Sequence, residues 1–169
     1  MAKNWYFKIN DYCKTLSEVY NVPLIKVAGI MSALSPNTTF RLNCISLEKF
    51  LKNNGNCKVS TFGGQKKKAL QILNSCDKIT VEGVKEILSP KKDGGLKTKA
   101  FFDNIYRPET SQEVTVDLWM IRWAKLEGSL TPKKYRNIAD KIRETAEKIG
   151  VLPHMLQAKI WTDIRGAAW

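Results

Sequence analysis

Two neighbouring segments decide the fold of this chain: Asp93-Gly94-Gly95-Leu96-Lys97-Thr98-Lys99-Ala100-Phe101-Phe102 and Val114-Thr115-Val116-Asp117-Leu118-Trp119-Met120. The first is a glycine-rich turn with lysines that leads into an apolar helix. The second places an aspartate at the start of another apolar helix, eighteen positions after Lys99. Backbone N–H groups at a helix start, together with lysines, can hold a phosphate. The two segments therefore predict a phosphate-binding turn with a fixed carboxylate nearby.

Composition and charge indicate one globular domain with a polyanionic partner. The chain has 169 residues, 43% of them hydrophobic, which is enough to bury a core in one domain. Its net charge of +12 favours nucleic acid as the partner. A membrane surface is the competing interpretation, but no basic amphipathic end segment or lipidation signal supports it. With no signal-peptide core and no membrane-spanning stretch, we expect an intracellular protein.

Cysteine and histidine usage argues against a metal centre. The four cysteines, Cys13, Cys44, Cys57 and Cys76, lack the closely spaced pairs of zinc and iron–sulfur sites. His154 is the only histidine, which leaves little for His-based metal binding or a Ser-His-Asp triad. We therefore predict no metal and no cofactor.

The apolar spacing is helical almost everywhere. Prolines, glycines and capping residues divide the chain into about nine helices, and the only strand candidate, residues 114–116, is too short to seed a sheet. The later helices are predicted at residues 65–75, 80–88, 98–105, 118–126, 131–150 and 153–164. The predicted fold class is all-α.

Four motifs resemble those of the helix-hairpin-helix (HhH-GPD) DNA glycosylase superfamily, in the order that the family uses. They are the hairpin at residues 95–99, Asp117 at the family's distance from Lys99, the segment 33–39 (similar to Leu-Ser-x-Gln-x-Thr) and the segment 61–69 (similar to Phe/Tyr-x-x-Lys-Ala). The chain also looks like short members of this kind from phage genomes. Lys97 replaces a usual glycine and Trp119 a frequent histidine, and these departures leave the substrate open.

The resemblance implies a two-lobed helical fold in a single domain, residues 1–169. Its core would be residues 24–128, with the hairpin at about 89–105. The flanking helices, in residues 1–23 and 129–169, would form the second lobe, and the substrate would bind in the cleft between the lobes.

Asp117 is the candidate catalytic carboxylate. Cleavage of an N-glycosidic bond builds positive charge on the sugar, and a nearby carboxylate stabilises that charge and orients or deprotonates water. The alternative is that Asp117 only caps an apolar helix, a common use of aspartate. The two roles are compatible.

Lys99 is the second catalytic candidate. Partial burial would lower the pKa of its amine and let it attack the sugar C1′, and the resulting Schiff base would add strand cleavage to base removal. The alternatives are a phosphate contact by Lys99 or Lys97, or a solvated lysine. An enzyme that uses Asp117 and water alone is slightly preferred.

Further DNA contacts are predicted in three places. Gly94, Gly95, Lys97 and Thr98 form the hairpin turn, and Lys66 and Lys67 follow a Gly-Gly pair at a predicted helix start. The resemblance places Asn37 where a residue fills the gap that an extruded base leaves. For the lysines the competing interpretation is a solvated helix face, and for Asn37 a plain turn.

The sequence thus predicts a DNA glycosylase-like enzyme that removes a damaged, mismatched or modified base from double-stranded DNA and acts as a monomer in the cytoplasm or nucleoid. It could be phage-encoded and act in the host cell. The alternatives are a non-catalytic helix-hairpin-helix DNA-binding protein and a phage enzyme of DNA base hypermodification.

Overall fold

The computed structural model describes residues 5–165. These residues form nine α-helices and no strand, so the prediction of an all-α fold is confirmed. The helices are α1 (Trp5–Tyr20), α2 (Leu24–Ala33), α3 (Phe40–Lys52), α4 (Gly63–Leu73), α5 (Val81–Leu88), α6 (Leu96–Tyr106), α7 (Leu118–Trp123), α8 (Pro132–Ile149) and α9 (Pro153–Arg165).

Among the helix boundaries that differ from the sequence-based prediction, two have clear local reasons. Helix α6 begins at Leu96, two residues early, because Gly95 takes a left-handed conformation with φ of 61° and starts the helix directly. Helix α7 ends at Trp123 rather than at residue 126. Lys125 is left-handed, and the Leu126 N–H donates to the Ile121 carbonyl oxygen at 3.0 Å, a hydrogen bond that closes a helix C-terminus.

The larger of two apolar clusters is built around α2. Nearly every residue of α2 is buried, and the helix packs most extensively on α4 and α6. A Cβ atom at Gly29 would lie only 2.8 Å from Val84, so the backbone of α2 approaches α5 closely. Side chains of α1, α3 and α5 complete this cluster, to which α9 contributes Ala158.

The smaller cluster lies in the second half of the chain. It combines Val114 and Val116 with side chains of α7, α8 and α9. Trp161 of α9 packs against both clusters and therefore marks the place where they meet.

The segment that carries Asp117 is fixed by buried hydrogen bonds. We call residues 107–117 the connector and residues 89–99 the hairpin. The Tyr135 hydroxyl donates to the Val114 carbonyl oxygen at 2.6 Å and accepts from the Val116 N–H at 3.2 Å. At the other end of the connector, His154 Nε2 lies 2.6 Å from the Pro108 carbonyl oxygen. The connector has no regular secondary structure, yet both ends are tied to the helices around it.

Residues 5–165 contain neither a membrane-spanning helix nor a cluster of metal-binding side chains. None of the helices there has the length and apolar character needed to cross a bilayer. No group of three or more histidine, cysteine or acidic side chains in the same residues is arranged to hold a metal ion.

Candidate functional site

A cavity of about 400 Å³ opens where the two clusters meet. Side chains from α1, the loop 35–39, α3, α6, the connector and α9 line it. Among the described residues, Asp117 is its only acidic lining residue, and Lys97 and Arg165 are the basic ones. Four residues predicted from the sequence reach this cavity: Asn37, Lys97, Thr98 and Asp117.

Both oxygens of the half-buried Asp117 carboxylate are held by donors. Oδ1 accepts the Trp119 N–H at 2.9 Å, which makes Asp117 the N-cap of α7, as the alternative interpretation predicted. Oδ2 accepts the indole Nε1–H of Trp161 at 2.8 Å. Each carboxylate oxygen has a second lone-pair site. The group is therefore fixed in orientation and can still accept a hydrogen bond from a molecule in the cavity.

A column of alternating guanidinium and indole groups extends from this carboxylate. Arg165 lies 4.7 Å from the ring centroid of Trp161 and 5.5 Å from that of Trp119, and Arg122 lies 4.5 Å from the Trp119 ring. These are cation–π distances. The i, i+4 spacing of Trp119 and Trp123 on an apolar helix predicts core positions for both rings. Trp123 does pack against the smaller cluster, whereas Trp119 is half-buried and stacked with arginines. The column gives one side of the site a positive, aromatic surface.

The hairpin turn is tightly packed at the two predicted glycines, and its left-handed backbone favours glycine at Gly95. A Cβ atom at Gly94 would lie 2.5 Å from Ser89 Oγ, and one at Gly95 would lie 2.8 Å from Ser89 Cβ in a left-handed backbone. Helix α6 has no side-chain cap. The N–H groups of its first turn have no acceptor within the helix and form the positive end of its dipole, which is an arrangement that binds anions.

The two lysines of the hairpin have different surroundings. Lys97 is exposed and lines the cavity, as do Thr98 and Phe101 on the same face of α6. Lys99 is not among the lining residues, and its ammonium group donates to the Lys91 carbonyl oxygen at 2.9 Å. Burial and then the neighbouring Lys85 ammonium lower the pKa of Lys99. The cavity geometry gives no support to Lys99 as nucleophile, and that role stays a prediction.

The remaining predicted DNA contacts lie beside the cavity. Asn37 is exposed in the loop 35–39 with a left-handed backbone, φ of 53°. Lys66 and Lys67 lie in the first turns of α4 and do not line the cavity. The Thr61 hydroxyl donates to the Pro36 carbonyl oxygen at 2.7 Å, and this bond ties the turn before α4 to the loop 35–39. The start of α4 and the cavity mouth are therefore neighbours.

A buried polar network holds the connector on the side away from the cavity. Asp103 is 1% exposed and pairs with Arg107 at 2.7 Å and with Lys85 at 3.5 Å. The Ser111 hydroxyl lies 2.7 Å from Asp103 Oδ2, and Asn104 Nδ2 donates to the Thr115 hydroxyl at 3.0 Å. Asp103 does not line the cavity, so its carboxylate positions the connector and is not a second carboxylate of the site.

Several lining residues were not found from the sequence. They are Trp5 and Tyr6 of α1, Phe40 and Asn43 of α3, Thr38 in the loop, and Gln157, Trp161 and Arg165 of α9. Trp161 lies 44 positions from the carboxylate that it contacts, and no local motif links the two residues. Only the packing of α9 against α1 and α7 brings them together.

Comparisons with known proteins place the chain in a family without assigning an activity. A family model described as "Family of unknown function (DUF7178)" matches residues 1–168, so the chain belongs to that family. No curated protein and no solved structure matches the chain significantly.

Proposed function

We propose that this member of the DUF7178 family is a DNA glycosylase of the helix-hairpin-helix kind, which removes a damaged, mismatched or modified base by cleaving its N-glycosidic bond. The observation that carries the proposal is the convergence of Asp117, Lys97, Thr98 and Asn37 on one cavity. These residues lie up to 80 positions apart in the chain and were selected from the sequence as parts of one site.

The cavity suits a nucleotide turned out of the duplex. Its volume of about 400 Å³ falls in the range of small-molecule sites, and aromatic rings form much of its wall. Extrusion costs a few kcal/mol, least for a damaged or mismatched base. Contacts to the flanking phosphates would offset that cost. The uncapped start of α6, Lys97 and the +12 net charge supply such contacts.

The chemical step follows from the fixed carboxylate. As the bond between C1′ and the base nitrogen breaks, its electron pair leaves with the base, and positive charge develops on the sugar. Asp117 stabilises that charge and accepts a proton from the water whose oxygen bonds to C1′. The donors Trp119 N–H and Trp161 Nε1–H keep the carboxylate aimed while this happens. A lyase step through a lysine amine is the second form of the reaction, and trapping with borohydride on DNA tests for it.

Base release from a panel of duplexes tests the proposal. Each duplex carries one damaged, mismatched or modified base, and alkali-induced nicking reports its removal. We expect release from at least one duplex. Steep salt-dependent binding without any release would instead support a DNA-binding protein, and binding insensitive to salt would contradict every DNA-based interpretation.

The Asp117→Asn variant identifies the catalytic group. Asparagine can still cap α7 with its one oxygen, although the Trp161 indole then loses its acceptor, so the fold and DNA affinity should largely be kept while base release falls by about 10²- to 10⁴-fold. Asp163→Asn is the matched control, since Asp163 lies exposed on α9 in a pair with Lys159. Unchanged release in Asp117→Asn would exclude Asp117 from the chemistry.

A further inference from the structure

Two buried polar atoms in the cavity wall have no hydrogen-bond partner. Asn43 is 2% exposed, and its Oδ1 atom accepts no hydrogen bond. The Thr38 hydroxyl oxygen, on the loop before α3, is likewise buried and unpaired. Both residues line the cavity. Buried polar side-chain atoms are nearly always paired in folded proteins, so two exceptions in one cavity point to a ligand that pairs with them.

A third polar side chain in the wall, Gln157, is oriented by the protein. The Tyr6 hydroxyl donates to Gln157 Oε1 at 2.8 Å, and burial raises the pKa of Tyr6, so this hydroxyl keeps its proton and stays a donor. This bond fixes the orientation of the Gln157 amide, whose carbonyl oxygen keeps one lone-pair site. Its NH₂ group supplies donors for a molecule in the cavity.

Four aromatic rings form another part of the wall. Trp5 lies with its ring centroid 5.3 Å from that of Phe40, 6.3 Å from Phe101 and 5.9 Å from Trp161, and all four rings line the cavity. Aromatic faces hold planar heterocycles by stacking, while a few polar groups fix the orientation at the edge. The wall therefore matches an unsaturated ring that has hydrogen-bonding groups along its rim.

We propose that Asn43 reads the base-pairing edge of the extruded base and restricts the substrate to bases whose ring N–H or exocyclic amine on that edge is unsubstituted. The unpaired Oδ1 requires a donor, and Nδ2 next to it donates to an adjacent acceptor. Uracil and hypoxanthine each present a ring N–H donor beside a carbonyl acceptor on this edge. Their methylated counterparts, 3-methyluracil and 1-methylhypoxanthine, leave Oδ1 buried against a methyl group and are excluded. The inference rests on the proposed function for how the base reaches the cavity from DNA.

Binding of free bases tests this inference without relying on catalysis. Trp5 and Trp161 line the cavity, so a base stacked there should quench their fluorescence. We expect uracil and hypoxanthine to bind at least tenfold more tightly than 3-methyluracil and 1-methylhypoxanthine. In Asn43→Leu the difference in affinity between unmethylated and methylated bases should shrink to less than twofold. The control is Asn74→Leu, at an exposed C-cap position of α4, and it should keep the full difference.

Any of three results would overturn the inference: equal binding of each pair to the wild type, no binding of any of the four bases, or full discrimination retained in Asn43→Leu. If Asn43→Leu does not fold, Asn43→Asp decides. Its carboxylate keeps the acceptor and lacks the donor, so binding should weaken about tenfold while the methylated bases stay excluded; unchanged affinity would contradict the role of Asn43.

The duplex assay separates this inference from the proposed function. Binding of free bases that depends on Asn43, with no base released from any duplex, would contradict the glycosylase and leave the base site standing. Release of methylated and unmethylated bases at similar rates by the wild type would contradict the role of Asn43 and leave the glycosylase standing.

Discussion

The hairpin and the connector reach the same cavity, but they are built in opposite ways. The hairpin is exposed and basic, and it is closed by surface contacts such as the Lys99 bond to Lys91 and the Arg136–Asp93 ion pair. The connector buries Val114 and Val116 completely and is fixed by Tyr135, His154 and the Asp103 network. In the proposed enzyme, the exposed hairpin would bind the DNA backbone, and the rigid connector would hold the Asp117 carboxylate in place.

Loss of the Asp103 carboxylate should show this difference most strongly. Asp103→Ala leaves Arg107, Lys85 and Ser111 without their buried partner, and we expect a loss of about 3–5 kcal/mol in the free energy of unfolding. Asp93→Ala removes the exposed hairpin pair and should cost about 1 kcal/mol or less. Urea unfolding measures both. Similar losses in the two variants would show that the connector is no more firmly held than the hairpin.

Removal of the indole donor to Asp117 should affect catalysis more than stability. Trp161→Phe keeps a ring against both clusters but deletes the Nε1–H that holds Oδ2. A hydrogen bond to a charged group contributes about 1.5–3 kcal/mol, so we expect base release to slow about tenfold or more, with DNA affinity changed far less. Trp123→Phe is the control, since Trp123 does not line the cavity. Single-turnover rates that are equal in the two variants would refute a positioning role for Trp161.

Acidification should loosen the connector through His154. Burial lowers the pKa of His154 in the folded protein, whereas the unfolded chain titrates near its ordinary value of about 6.5. Above that pH both states are neutral and the histidine contributes nothing. As the pH falls below it, only the unfolded chain gains the proton, and the free energy of unfolding drops by up to about 1.4 kcal/mol per pH unit.

Urea unfolding at several pH values between 7.5 and 5.5 checks this expectation. His154 is the only histidine, so His154→Gln should make the profile nearly flat in that window. A wild-type profile as flat as that of the variant would mean that His154 is protonated as readily in the folded protein as in the unfolded chain.

The smallest expected effect separates the two hairpin lysines. Lys97→Ala should weaken DNA binding a few-fold and lower the slope of affinity against salt by about one, as expected for one lost phosphate contact. Lys99→Ala should change both less, since its ammonium group is engaged with the Lys91 carbonyl oxygen. Fluorescence anisotropy over a range of salt measures the difference. A larger loss of DNA affinity in Lys99→Ala, or a borohydride adduct at Lys99, would support the predicted catalytic role of Lys99.

Local patterns predicted the helices, and together with the family resemblance they selected four of the residues that line the cavity. Prolines, glycines and caps predicted nine helices, and Asp117, Asn37, Lys97 and Thr98 were all selected in advance. Helix geometry could also have predicted which of Lys97 and Lys99 faces the cavity. Successive residues of a helix turn by about 100°, so these two point in nearly opposite directions and only one can share the face of Phe101.

The rest of the cavity depends on packing between distant helices. Trp161, Gln157 and Asn43 carry no motif, and they join Asp117 only because α9 and α3 pack where they do. The early end of α7 could not be predicted either, because it depends on the left-handed backbone of Lys125 and lysine does not ordinarily signal a helix end.

A structure of the Asp117→Asn variant bound to a duplex with a cleavable base would test the central claim most directly. We expect the base to lie in the cavity among Trp5, Phe40 and Phe101, with its sugar beside residue 117 and a flanking phosphate at the start of α6. A base left stacked in the duplex, or DNA bound on a face away from the hairpin, would contradict it.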